Sequence, residues 1–114
     1  MKPGGHRIKG KAFELEIAHR LEGIFPDARR RAMQARGGRE GADLDKTPGF
    51  WIEAGHGKRM DPVKKWRQAQ ADSQALKSDD WPVAITKRDH GEILVTMRLE
   101  EWIKLVTIAA KELS

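Results

Sequence analysis

Residues 43–59, Asp43-Leu-Asp-Lys-Thr-Pro-Gly-Phe-Trp-Ile-Glu-Ala-Gly-His-Gly-Lys-Arg59, decide the fold of this chain. Asp43 closes a polar, glycine-rich run and opens a short strand to about Lys46. Pro48-Gly49 then turns the chain, and Phe50 to Gly55 returns as a strand that exits through the basic His56-Gly-Lys-Arg59. Strand alternation puts Phe50, Ile52 and Ala54 on one face and Trp51, Glu53 and Gly55 on the other. The spacing predicts an antiparallel hairpin with a carboxylate on each arm. Glu53 is the anomaly, because an acid inside an apolar strand costs several kcal/mol to bury unless a metal or a base pairs with it.

Upstream, Pro3-Gly4-Gly5 opposes regular structure, so residues 1–9 read as a flexible basic arm. From Gly10 the spacing of Phe13, Ile17, Leu21 and Ile24 is helical, and Gly23 and Pro26 end the helix. Glu14 shares a side with Ile17, Ala18 and Leu21, which leaves two readings open: an inward acid, or one snorkelling from the edge of the apolar face. Asp27 to Gln34 reads as a strand carrying Arg29, Arg30 and Arg31. Arg36-Gly-Gly-Arg-Glu-Gly41 is either a loop whose glycines let backbone N–H groups approach an anion or a plain surface loop.

Downstream, Asp61-Pro62 is an N-cap followed by proline at the first helical position, and the helix runs to about Lys77. Val63, Trp66, Ala69 and Leu76 mark its apolar side, with Lys64, Lys65 and Arg67 as a basic flank. Trp81–Thr86 and Glu92–Met97 are strands joined by the turn Arg88-Asp-His-Gly91. A last helix from about Leu99 to Leu113 lines up Leu99, Trp102, Ile103, Val106 and Ala110, a stripe suited to the core or to a dimer contact. The order α-βββ-α-ββ-α predicts an α/β fold: a mixed central sheet of about five strands flanked by helices, one domain over residues 10–114.

The chain has 114 residues and a formal charge of +5, unevenly spread. Residues 1–70 hold 16 Lys/Arg against 9 Asp/Glu, whereas residues 71–114 hold 6 against 8. That asymmetry favours a polyanionic partner, nucleic acid before membrane. With no cysteine, disulfides, thiolate zinc sites and cysteine nucleophiles are excluded. No apolar h-region follows the basic N-terminus, so the expected location is cytoplasmic. His6, His19, His56 and His90 lack metal-ligand spacing.

An inward Glu14, Asp43 and Glu53 would bring three hard oxygen ligands from separate elements, a set that suits Mg2+ or Mn2+. Basic side chains around such an ion are the apparatus of metal-assisted phosphodiester hydrolysis. Arg29, Arg30, Arg31, Arg36, Arg39, Lys58 and Arg59 are the candidate phosphate contacts.

Gly10-Lys-Ala-Phe-Glu14, Gly41-Ala-Asp43, Phe50-Trp-Ile-Glu53, Gly57-Lys-Arg59 and Arg67-Gln-Ala69 together resemble the PD-(D/E)XK nuclease fold, and within it the small Holliday junction resolvases of archaeal and phage type. The resemblance runs from about Gly10 through the last helix. It implies a restriction-endonuclease-like sheet, a homodimer gripping a four-way DNA junction, and Mg2+ held by Glu14, Asp43 and Glu53, with Ala54 in the metal set and Gln68 as a supporting polar residue. A phage-encoded relative would work in the cytoplasm of a bacterial host. Asp45 is the rival of Asp43, but the pattern of a small residue before the acid favours Ala42-Asp43.

The family pattern wants Glu-X-Lys, and here Glu53-Ala54-Gly55 leaves the lysine out. Three explanations are open. Another base has taken over, Lys58 first and His56 behind it, with the glycines bending the strand. Alternatively, the position has been altered to hold the enzyme inactive, or the protein binds DNA without cutting it.

Overall fold

The computed structural model describes residues 3–30 and 41–113, and the elements follow the expected order. They are α1 (Pro3–Arg20), β1 (Arg29–Arg30), β2 (Leu44–Asp45), β3 (Phe50–His56), α2 (Pro62–Ala75), β4 (Trp81–Lys87), β5 (Ile93–Thr96) and α3 (Leu99–Leu113). Helix α1 begins at Pro3, so residues 3–9, expected to form an arm, continue the helix. Proline is compatible with a first helical turn, where its missing N–H has no intrahelical partner to lose.

The five strands form two sheets rather than one: β1 pairs antiparallel with β2, and β3-β4-β5 make a mixed sheet. Within the latter, β3 and β4 run parallel across α2, whereas β4 and β5 are antiparallel. Strand β2, two residues long, is paired with β1 among the described residues rather than with the larger sheet. Strand β3 pairs with β4, so the expected antiparallel pairing of the two arms does not form, although the turn between them closes. Thr47 C=O accepts from Phe50 N–H at 3.0 Å across Pro48 and Gly49, and Gly49 takes φ 91°, the type II turn that Pro-Gly favours. The arms are then tied by Asp43 N–H donating to Ile52 C=O at 3.1 Å.

Strand β3 is buried along nearly its whole length because helices cover both faces. On one side Phe13, Ile17 and Ala18 of α1 pack with Leu44, Ile52, Ala54, Val83 and Ile85. On the other, Trp51 packs with Ala42 and with Ala69 of α2. Alternation along β3 puts Glu53 and Gly55 on the face opposite Ile52 and Ala54, as predicted, and that face looks towards α2. Trp66 of α2 donates its indole N–H to Pro82 C=O at 3.2 Å, fixing the helix against β4.

Helix α3 departs from the core reading of its stripe. Leu99, Trp102, Ile103 and Val106 are exposed, and Glu101 is the buried residue of the helix. Helices α1 and α2 take the two faces of β3, and α3 leaves its own stripe and Leu94 and Val95 of β5 exposed. It touches the body near its start, where the Lys104 ammonium stands 5.8 Å from the Trp81 ring centroid. Among the described residues no helix is long and apolar enough to cross a membrane.

The phase of α2 is set at its first turn, where Asp61 Oδ1 accepts from Val63 N–H at 3.0 Å and from Lys64 N–H at 3.2 Å, with Pro62 following. Asp61→Ala should lower stability by about 1 kcal/mol. A shifted urea midpoint with an unchanged m-value would show it.

Candidate carboxylate site

The turn between β2 and β3 places Asp43 and Glu53 side by side. Asp43 Oδ2 accepts from Ala54 N–H at 2.9 Å, so the first acid is anchored to the strand that carries the second. Glu53, 2% exposed, hydrogen-bonds Asp43 and accepts from the Trp51 indole N–H at 3.3 Å. Burial, then the charge of Asp43 and the hydrogen bond to it, push the Glu53 carboxyl up to about 9, against the opposing pull of Lys65 and the Trp51 hydrogen bond. Burial beside a second carboxyl disfavours the charged form of Glu53, so Glu53 keeps its proton well above the ordinary carboxyl range.

Glu14 points inward, which resolves its two readings in favour of the inward one. Burial first and Asp43 second raise its carboxyl pKa, while Arg30 and Lys65 oppose them. Its nearest cation is Arg30, whose Nε donates to Glu14 Oε1 at 2.8 Å. Arg30 faces Leu44 across the β1–β2 pair, so that small sheet presents the guanidinium to α1. Among the described residues no three His, Asp or Glu side chains are grouped to hold a metal ion. The Asp43–Glu53 pair fits a hard divalent cation, since its adjacent oxygens hold a proton that such an ion would replace. Glu14 would join the set by leaving Arg30.

The other expected site residues divide. Ala54 contributes through its amide N–H, and Gln68 lies exposed on α2, lining a groove with His56, Lys58, Met60, Lys64 and Lys65. Lys58 and Arg59 are exposed on the turn closed by Met60 N–H and Gly57 C=O. His56 lies on the opposite face of β3, with its ring 5.4 Å from Phe13 and its Nε2 3.3 Å from Asp89 Oδ1. Neither expected substitute for the strand lysine is therefore aimed at the carboxylates: Lys58 points to solvent and His56 is turned away.

Arg29 is exposed and pairs with Asp45 at 3.1 Å, which also occupies the rival acid. Arg30, expected to reach solvent or phosphate, is instead half-buried against Glu14. Arg31, Arg36 and Arg39 lie outside the described residues.

The cation the sequence reading missed is Lys65. Its Nζ stands 4.0 Å from Asp43 Oδ2, and it acts on both Glu14 and Glu53. The signal was present: Lys65, Ala69 and Ser73 recur at four-residue steps, and Ala69 and Ser73 are the buried residues of α2.

With the Glu53 and Glu14 carboxyls raised above their ordinary range, the folded protein binds more protons than the unfolded chain from about 4.5 upward. The stabilisation is complete below that range and is lost as pH rises towards the Glu53 value of about 9. The metal-free protein should thus melt at a lower temperature at about pH 8.5 than at about pH 5, and Glu53→Gln, neutral throughout, should flatten that profile in a calorimetric series.

Comparison of the chain with protein-family models, with curated proteins and with solved structures finds no match.

Proposed function

We propose that this protein is a Mg2+-dependent endonuclease acting on branched DNA, with the Holliday junction as its substrate. One observation carries the reading: the buried Glu53 carboxyl of β3 against the part-buried Asp43, with a lysine ammonium 4.0 Å from Asp43. A fold that needed only stability would gain nothing from a raised acid in the middle of β3.

Mg2+, when bound, would supply charge for the phosphoryl oxygens and a more acidic water. The chain's own residues do the rest. Asp43 and Glu53 would hold the ion, with Glu14 next to them, and Ala54 N–H orients Asp43. Lys58 and Arg59, exposed beside the Gln68 groove, meet the DNA backbone as charges without sequence preference. In the reaction the water oxygen forms a new P–O bond and the bridging P–O bond breaks. One water proton ends on the released hydroxyl and the other is shed from the phosphomonoester.

A second reading, a non-catalytic DNA-binding protein on the same fold, is favoured by Gly55 and by the Glu14–Arg30 ion pair, which keeps the third acid from its partners. Cleavage of a synthetic four-way junction with Mg2+ separates the two. The protein should cut symmetrically, and Asp43→Ala should fall to background. Cutting only by Gly55→Lys would favour the second reading. No cutting by either, with no preference for junctions over linear duplex, would sink the resolvase reading.

A homodimer through α3 belongs to the same proposal. Its exposed Trp102, Ile103 and Val106 line a groove, and β5 adds exposed Leu94 and Val95. This face lies in the half of the chain with 6 Lys/Arg against 8 Asp/Glu, away from the basic half, so two copies can meet there without strong repulsion. Sedimentation should give the dimer mass, and Trp102→Glu with Val106→Glu should give the monomer.

A further inference from the structure

We infer that Lys65, from helix α2, is the catalytic lysine of the carboxylate site, occupying from the helix the place that Gly55 leaves empty on the strand. The inference rests on the nuclease reading and assigns a role in the cleavage step to the lysine that the reading finds beside Asp43.

Three observations carry it. The first is position. A Cβ built at Gly55 would lie 3.2 Å from Lys65 Cε, so the end of the Lys65 side chain already stands where a side chain at residue 55 would begin. Glu53 and Gly55 share the face of β3 that looks at α2, which puts the Lys65 ammonium on the carboxylate side of the strand. Its Nζ is 4.0 Å from Asp43 Oδ2.

The second is occupancy. The same Cβ would approach Met60 Cε to 2.6 Å and Met60 Sδ to 2.8 Å, so Met60 fills the space that a residue-55 side chain would need. Gly55, Met60 and Lys65 are thus mutually fitted. A strand lysine would have to displace one side chain and crowd the ammonium of the other.

The third is constraint. Lys65 is 19% exposed, and its backbone N–H donates to Asp61 C=O at 3.0 Å, within the capped first turn of α2. The cap fixes the helical phase and so the direction in which Lys65 leaves the helix. Lys58, by contrast, is exposed on a turn. As an ammonium, Lys65 donates hydrogen bonds, so it orients the attacking water and balances the charge that grows on the phosphoryl oxygens.

The test uses the full chain and a four-way junction under single-turnover conditions with Mg2+, beside Mn2+ titration calorimetry. Lys65→Ala should slow the cleavage step on the order of 100-fold at saturating DNA, with KM little changed. Its Mn2+ affinity should be equal to or tighter than the parent's, since a positive charge beside Asp43 has been removed. Lys58→Ala should show the other pattern, a raised KM from a lost phosphate contact. Moving the lysine to the strand, in Gly55→Lys with Met60→Ala and Lys65→Ala, should recover part of the lost rate. Cleavage by Lys65→Ala at the parent's rate would overturn the inference while leaving the nuclease reading standing. So would a loss of Mn2+ binding together with the rate, because Lys65 would then only shape the site. If the parent cuts no DNA and binds no Mn2+, the nuclease reading itself falls and takes the role of Lys65 with it.

Discussion

The burial of Glu53 against Asp43 is the constraint to which the rest of the structure answers. An acid enclosed in the central part of β3 is tolerated because each of its surroundings is arranged: an indole N–H from Trp51, a carboxyl partner anchored by Ala54 N–H, and the ammonium of Lys65. That arrangement fixes architecture. Strand β3 must lie between two helices, α2 must start where its first turn overlooks Glu53, and the Pro48-Gly49 turn must be tight enough to return Asp43 to the strand. Even the small β1–β2 pair has a part in it, since it delivers Arg30 to Glu14 and so balances a third carboxyl nearby.

Most of this architecture was legible in the sequence because it is written in local signals. The type II turn, the Asp61-Pro62 cap, the alternation along Phe50–Gly55 and the order of elements depend on neighbours a few residues apart. The carboxyl pair was legible for the same reason, a turn being a local structure. What the sequence left out is pairing at a distance. Whether Leu44–Asp45 joins the main sheet depends on how far the ladder can continue. The direction of Arg30 depends on Glu14, sixteen residues away. Likewise Lys65 reads as one member of a basic flank until the burial of Ala69 and Ser73 shows which side of α2 faces the strand.

Helix α3 illustrates another limit. Its stripe of apolar residues is as regular as a core stripe, and periodicity cannot tell a helix that covers its own sheet from one that waits for another surface. Counting faces can. Helices α1 and α2 take the two faces of β3, and a third amphipathic helix is left with Leu99, Trp102, Ile103 and Val106 in water, as are Leu94 and Val95 of β5. Apolar exposure on that scale marks an interaction site more often than it marks idle surface. The carboxylates lie at the other side of the molecule's charge division, within the half that holds the excess of Lys and Arg.

The glycine at position 55 changes meaning once its neighbours are in place. Seen along the chain it departs from the Glu-X-Lys pattern that the sequence otherwise resembles. Seen in space it is a clearance into which the ends of two side chains extend, Met60 Cε 2.6 Å and Lys65 Cε 3.2 Å from where a Cβ there would stand. A lysine placed at that position alone would bring a second ammonium towards the one beside Asp43, and like charges at such separations repel most where water is excluded. Charge at a site is conserved by the requirement that buried carboxylates be balanced, and that requirement specifies where a cation must stand without specifying which element carries it. Here the capped start of a helix meets it, with a side chain whose direction is set by the turn it leaves.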